Sequence, residues 1–353
     1  MCKEKVRIAV VGLNATGIGN VYVNNILKNK NAELVAVCDI AKDKLQERVE
    51  FYGFNQSMVY TDYKEMLKRD DIDAVCVVSS DQMHKEIAIA AMKAGMDVLC
   101  EKPMALKAED CREMIDASEE TGKKLMVGQI CRFTPSFVLA KEMVEHGEIG
   151  ELVFVESEYA HKYLNTSIGW RVSDPNRNVV VGGGCHAVDL LRWFAGNPME
   201  VMAFENKKVN DQWPYADTTI ASMKFENDII GKVLVSGGCT RSYTMRTCLY
   251  GTKGTIIVDN TSTTLSLFKQ LYEGQERFYG LKAHEIEIKV PVTVNNHNVT
   301  AEIEHFIKVC LGEEEVKIDG LQGCNTVIAC EAIVESANTG KIIYPVYKSR
   351  NKK

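Results

Sequence analysis

Three places in the sequence carry residues whose type and spacing suit chemistry on a small molecule. The first is the turn Val11-Gly12-Leu13-Asn14-Ala15-Thr16-Gly17. A loop that cradles a dinucleotide needs a tight turn, a close backbone approach to the pyrophosphate and tight helix–strand packing. Gly12 supplies the turn and Gly17 the packing, while Asn14 replaces the middle glycine and is tolerant of left-handed backbone. The helix that follows offers free N–H groups and a positive dipole end to phosphates, with the Thr16 hydroxyl beside them. The second place is Asp39, about 22 residues past Gly17, ending the next apolar run. A carboxylate there accepts hydrogen bonds from ribose hydroxyls and repels a 2′-phosphate. Ile40 and Ala41 follow it, with no arginine to welcome that phosphate, so the pattern favours NAD over NADP. The third place is Glu101-Lys102-Pro103, closing the run Val98-Leu99-Cys100. An ammonium at that position can hold a substrate oxygen and stabilise charge developing on it. Taken alone, a lysine at a strand end is more often a surface charge.

These residues need elements to place them. The first third of the chain alternates strand-like and helix-like segments: strands at Val6–Val11, Leu34–Cys38, Ser57–Tyr60, Ala74–Val78, Val98–Cys100 and Leu125–Val127, with helices between them. The continuous apolar runs mark strands buried on both faces, and the rhythm predicts a parallel, doubly wound sheet of the Rossmann type. In such sheets ligands bind outside the carboxyl ends of the strands, where Gly12, Asp39 and Lys102 all fall. After about residue 130 the rhythm changes. A helix at Thr134–Glu145 precedes a long strand at Leu152–Tyr163 and further strands at Val201–Phe204, Thr219–Phe225, Lys232–Ser236 and Thr255–Val258. The turns Glu226-Asn227-Asp228 and Gly251-Thr252-Lys253-Gly254 make this sheet mostly antiparallel. Helices are expected at His186–Phe194, Thr300–Cys310 and Gly323–Asn338. The fold class is therefore α/β: residues 1–130 form a Rossmann doubly wound parallel sheet. Residues 131–353 form a C-terminal α+β domain with a large open, mostly antiparallel sheet that closes the active site.

The 353 residues suit two domains, with 46% hydrophobic and 25% charged residues typical of a globular chain. The net charge of -6, without a basic block or zinc pattern, argues against a nucleic-acid platform. No apolar run is long enough for a membrane span. Met1 to Lys5 lack the apolar core of a signal peptide, which points to the cytoplasm. None of the twelve cysteines is spaced as CxxC, and Cys38, Cys76 and Cys100 read as small buried hydrophobes in a reducing compartment. His146, His284, His297 and His305 lack partners at metal-ligand spacing, so no metal is expected.

In combination, several segments closely resemble the Gfo/Idh/MocA oxidoreductase family. They are Ser79-Ser80-Asp81-Gln82-Met83-His84, Ala88 to Gly95, Glu101-Lys102-Pro103 and Gly182-Gly183-Gly184-Cys185-His186-Ala187-Val188-Asp189-Leu190-Leu191-Arg192-Trp193. The likeness extends to Trp170-Arg171 and to Gly323 through Tyr344, so it covers nearly the whole chain. It implies hydride transfer between NAD and a ring hydroxyl of a sugar, sugar derivative or cyclitol. Residue by residue, Lys102 matches the active-site lysine. His186, by itself a helix-start or core histidine as readily, matches the histidine that many members use as acid and base. A pKa near neutrality suits that task. Ser79, Ser80, His84, Glu101, Trp170 and Arg171 fall where the family contacts cofactor, although His84 suits capping or packing equally well. Leu13 and Ala15 lie within the cofactor loop.

One position departs from the pattern. Many sugar and inositol dehydrogenases of the family carry an aspartate four residues before the histidine, and here that position is Gly182. The missing polyol contact puts the substrate in question. Asp189 faces another part of its helix and suits a structural role. Tyr159 and His161 share one strand face and either line the substrate pocket or lie on the sheet surface. The family resemblance, with the open sheet face, implies a homo-oligomer, dimer or tetramer. Two other functions fit the same residues. One uses tightly bound NAD to oxidise a sugar transiently and eliminate a glycosidic substituent. The other is regulation by NAD binding without catalysis, which would have no use for both Lys102 and His186.

Overall fold

The computed structural model describes residues 4–13, 17–162, 174–270 and 285–348. It divides into two compact units: residues 1–129, 299–327 and 348–353 form the first, and residues 130–298 and 328–347 the second.

In the first unit the elements run β1 (Val6–Val11), α1 (Ile18–Lys28), β2 (Ala32–Cys38), α2 (Lys42–Tyr52), β3 (Val59–Tyr60), α3 (Tyr63–Met66), β4 (Ala74–Val77), α4 (His84–Lys93), β5 (Asp97–Glu101), α5 (Ala108–Thr121) and β6 (Leu125–Gly128). The six strands form one parallel sheet in the order β3-β2-β1-β4-β5-β6. β4 is buried along its whole length and β1 nearly so, as expected for strands covered on both faces. Asp62 caps α3 by accepting from the Lys64 amide at 2.8 Å. Because β1 lies between β2 and β4, the strand order reverses there, and the turns after β1 and β4 flank the crevice where such sheets take ligands.

The chain returns to this unit near its end. The helix α8 (Val299–Leu311), described below in its place after the second sheet, packs on α1 and β1. The amide of Val127 donates to Ile318 O at 2.9 Å, and Gly323 sits against the Val127 side chain, where a Cβ would lie 2.7 Å from it. A second domain running unbroken from 131 to 353 is therefore corrected. Glu302, Ile303, Phe306 and Ile307 form the buried side of a helix that packs on α1 and β1, so the segment folds with the first unit.

The second unit opens with a 3-10 turn at Ile130–Phe133 and α6 (Pro135–Glu145). Its remaining elements are β7 (Leu152–Ala160), α7 (Cys185–Ala195), β8 (Glu200–Asn206), β9 (Thr218–Lys224), β10 (Ile230–Ser236), β11 (Arg246–Gly251), β12 (Gly254–Asp259), β13 (Thr264–Gln270) and β14 (Glu285–Pro291). α8 then follows in the chain, and α9 (Gly320–Thr339) passes from the first unit to the second after Val327. The eight strands are ordered β14-β13-β12-β11-β7-β10-β9-β8, and every pairing is antiparallel except that of β7 with β10. In β9 Thr219, Ala221 and Met223 are buried while the alternate residues are not, the period-two signature of a sheet with one covered face. α7 packs across β7 and β10. Asn227 and Asp228 take left-handed φ values of 57° and 62° in the turn that joins β9 to β10, a conformation these two residue types tolerate.

Candidate functional site

In the first unit the described residues expected to hold a cofactor lie at the carboxyl edge of the parallel sheet. Gly12 has φ +104°, and its amide donates to Cys38 O at 2.8 Å. A Cβ there would lie 2.4 Å from the Ser79 amide nitrogen, so the turn after β1 touches the turn after β4 backbone to backbone. The close helix packing expected of Gly17 belongs instead to Gly19, whose Cβ would lie 2.7 Å from both Gly12 O and Leu13 O. Gly17 is the left-handed residue, φ 76°, that starts α1, and a Cβ on it meets nothing within 4 Å among the described residues. Asn14, Ala15 and Thr16 lie outside the described residues. Asp39 follows β2, 5% exposed, with Oδ1 accepting from the Ala41 amide at 2.9 Å. A turn opened by a glycine, a helix start with no side-chain cap hydrogen bond and an acid at the second strand's end fit a dinucleotide.

The second cluster of this unit surrounds Lys102. The Lys102–Pro103 bond is cis. His84 is buried, and its ring bridges two carbonyls: Nδ1 lies 2.9 Å from Pro103 O and Nε2 3.3 Å from Ser79 O. Its ring is thus engaged in holding the two turns, which matches the packing alternative. Among the described residues the Lys102 ammonium has no ion pair or side-chain hydrogen bond. Its backbone amide donates to Glu101 Oε2 at 3.0 Å. Glu101 Oε1 in turn lies 2.9 Å from Tyr22 Oη, and Glu302 Oε2 lies 2.9 Å from the same oxygen on its other side. Glu302 is fully buried; burial, then the nearby Glu101 charge, drives its carboxyl well above the usual range, against the opposing Tyr22 hydrogen bond. Burial likewise keeps the Tyr22 phenol protonated, helped by the Glu101 charge.

In the second unit His186 lies in the first turn of α7, 1% exposed. A π-helical turn at Val180–Gly184 leads into it. Gly184 has no room for a side chain, since a Cβ would lie 2.5 Å from the Val235 side chain. At Gly182, the position of the missing aspartate, a Cβ would lie 2.6 Å from Cζ and Nη1 of Arg177, so a buried guanidinium occupies that volume. Around His186 stand aromatic and polar rings. Tyr159 stacks on it at 6.0 Å between centroids, and His297 lies at 5.7 Å. His161 donates to or accepts from Tyr159 Oη at 3.1 Å, and Tyr243 Oη meets His297 Nε2 at 3.1 Å. Tyr243 and His161 are edge to face at 4.9 Å. Tyr159 and His161 therefore share a ring cluster with His186. The sequence left Tyr243 and His297 without a role; an isolated bridge pairing Ala160 with Thr244 brings Tyr243 to β7.

Other residues hold this frame. Asp189, fully buried, receives two parallel hydrogen bonds from Arg132, Nε to Oδ2 at 2.8 Å and Nη2 to Oδ1 at 2.7 Å, with Arg192 Nη1 at 3.6 Å. The Arg132 guanidinium also lies 5.7 Å from the centre of the Trp193 ring. Burial lowers the Arg192 pKa to about 10 despite the Asp189 charge. Asp189 thus ties α7 to the 3-10 turn at Ile130–Phe133, a structural role. Trp170 and Arg171 lie outside the described residues. Among the described residues, no three His, Cys, Asp or Glu side chains are arranged to hold a metal ion.

Comparison with known proteins gives the same outline. Residues 6–129 match the model of an oxidoreductase family with an NAD-binding Rossmann fold, and residues 137–257 match the GFO/IDH/MocA C-terminal domain. The chain is 31% identical over 268 residues to a myo-inositol 2-dehydrogenase of Thermotoga maritima, covering 73% of this chain and 76% of that one. It is 26% identical over 294 residues to an inositol 2-dehydrogenase of Klebsiella pneumoniae, covering 80% and 84%. Among solved structures, a levoglucosan dehydrogenase in complex with NADH superposes with a TM-score of 0.85 at 19% identity, over 98% of this chain and all of that one. An aldose-aldose oxidoreductase from Caulobacter crescentus superposes at 0.82 with 20% identity, over 96% and 99%. At those identities the structural likeness speaks for the fold.

Proposed function

The chain belongs to the Gfo/Idh/MocA family of NAD-binding oxidoreductases, and on that premise we propose that it is a dehydrogenase of neutral ring polyols, cyclitols first and sugars second. The observation that carries the substrate class is the ring cluster of the second unit. Tyr159, His161, Tyr243 and His297 around His186 offer flat apolar faces for ring C–H surfaces, with phenol and imidazole edges for hydroxyls. The inositol 2-dehydrogenases among its relatives support the same class.

Gly12, Gly19 and the start of α1 would hold the NAD pyrophosphate, and Asp39 the adenosine ribose. NAD, when bound, would supply the acceptor for the hydride. His186 takes the hydroxyl proton of the carbon being oxidised, and the Lys102 ammonium stabilises the negative charge that grows on that oxygen. His84 holds the turns after β4 and β5 in place. The exposed apolar residues Phe204, Ile220 and Ile230 on strands β8, β9 and β10 support a homo-oligomer formed through the open sheet. We also assign the protein to the cytoplasm, a reading that its many buried free thiols support. No described helix is long and apolar enough to cross a membrane.

The test is NADH formation by the purified protein with NAD, and separately with NADP, against inositols, aldoses, sugar acids and glycosides. Turnover on a neutral polyol with NAD is expected, falling roughly 100-fold or more in Lys102→Ala and in His186→Ala. Turnover only on sugar acids would overturn the substrate class. Bound NAD that no substrate reduces would leave regulation as the function.

A further inference from the structure

The Tyr22 hydroxyl has one hydrogen and faces two carboxyl groups, Glu101 Oε1 and Glu302 Oε2, each at 2.9 Å. Were both ionised, each would need a donor, and one contact would set two lone pairs against each other in a buried site. A proton on one carboxyl resolves the conflict. Glu101 is half-buried, and its second oxygen accepts the Lys102 amide at 3.0 Å, which suits a carboxylate. Glu302 is wholly buried, and its Oε1 has no hydrogen-bond partner among the described residues, which suits a neutral acid. Gly128 leaves the space over that oxygen, since a Cβ there would lie 3.3 Å from it.

We propose that Glu302 is a positioning residue for Lys102: its protonated carboxyl donates to Tyr22, Tyr22 donates to the Glu101 carboxylate, and Glu101 holds the Lys102 amide. The chain of bonds starts on α8, crosses α1 just behind the cofactor turn and ends at the lysine after β5. Directions fix its polarity, because Glu302 must carry a proton for the Tyr22 proton to point toward Glu101. Burial of Glu302 beside the Glu101 charge favours that proton. The groups facing Glu302 are Tyr22 from α1, Glu101 from β5 and the buried Cys76 thiol from β4. The importance of this chain for turnover rests on the reading of Lys102 as an active-site residue; its existence does not.

Two measurements test it without a substrate. Infrared difference spectra between the wild type and Glu302→Gln at neutral pH are expected to show the C=O band of a buried carboxylic acid in the wild type alone. Amide-resolved hydrogen exchange should find the Lys102 amide at least about tenfold less protected in Glu302→Ala and in Tyr22→Phe, the factor of a charge-assisted hydrogen bond. Glu302→Gln, a neutral donor of the same shape, should restore that protection. No acid band, or protection lost equally in Glu302→Gln and Glu302→Ala, would overturn the proposal. If Glu302→Ala does not fold, Tyr22→Phe against Glu302→Gln decides it. In turnover, kcat should fall in Glu302→Ala and Tyr22→Phe with little change in the KM for NAD. Exchange effects without any kcat effect would refute Lys102's catalytic role while leaving the hydrogen-bond chain standing.

Discussion

Cys131 Sγ lies 3.5 Å from Nδ1 of His186. The same sulfur lies 3.4 Å from Met245 Sδ, and a thioether only accepts. With the thiol proton directed to Met245, Sγ accepts from Nδ1–H. That tautomer leaves Nε2 with the lone pair a base needs. Cys131→Ala should lower kcat roughly 2- to 10-fold, the worth of one ordinary hydrogen bond, and raise the share of the other tautomer. Cys131→Ser, which still donates and accepts, should lose less. Nitrogen-15 spectra of His186 alongside kcat provide the check. An unchanged tautomer and kcat in Cys131→Ala would remove this role from the thiol.

We expect Asp39 to set the choice of cofactor by charge. Its Oδ1 also accepts the Ala41 amide at 2.9 Å, so the substitution must spare that bond. Asp39→Asn keeps an acceptor and removes the charge. Relief of a juxtaposed like charge is worth on the order of 1–3 kcal/mol. The ratio of kcat/KM for NADP to that for NAD should thus rise roughly tenfold to a hundredfold, with the melting temperature nearly unchanged. A constant ratio would show that Asp39 only caps its own turn.

Which parts of this molecule are legible in its sequence follows from burial. The parallel sheet is readable because its strands are apolar on both faces, and Gly12, Asp39 and Lys102 are readable because they end such strands. β11, β13 and β14 escape notice, since a strand such as Glu285-Ile286-Glu287-Ile288-Lys289 alternates with charge and resembles a polar connection. Gly19 escapes because only the packed helix shows that its Cβ would strike the turn. Glu302 is hidden most deeply. It sits among polar helix residues, 280 positions from Tyr22, and nothing local marks it as buried. Cys131 and His297 meet His186, and Tyr243 meets Tyr159 and His161, only through tertiary packing. The return of the chain at residue 299 has the same cause, for a helix sequence names its apolar face but not the sheet that face will cover.

Glu302 also shapes stability against pH. Its folded pKa is raised above the unfolded value, so the folded state holds an extra proton between the two. The stabilisation linked to that proton is fully present below the unfolded carboxyl value near 4.5 and is lost as pH rises toward the folded value. The slope is at most about 1.4 kcal/mol per pH unit for one proton. Glu302→Gln cannot titrate, so its stability relative to the wild type should climb as pH goes from 5 to 8, measured by urea unfolding. Parallel curves for the two proteins would mean that Glu302 is ionised when folded.

Gly182 has no room for the aspartate that the family resemblance implies at this position. Its Cβ would stand 2.6 Å from the Arg177 guanidinium carbon, and that side chain is itself buried. Gly182→Asp must expel the guanidinium or strain the π-helical turn, and overpacking of this kind costs about 1–3 kcal/mol. The variant should be less stable by that amount in urea, and its kcat/KM on inositols should not improve. Arg177→Ala alone removes a packed side chain and should also destabilise. The double variant gives the new carboxylate the vacated space, so its loss should be smaller than the sum of the two single losses by at least about 0.5 kcal/mol. Simple additivity would show that Arg177 does not fill the aspartate's place. A double variant that also turns over inositols faster than the wild type would show that the exchange of aspartate for arginine tunes substrate choice rather than packing alone.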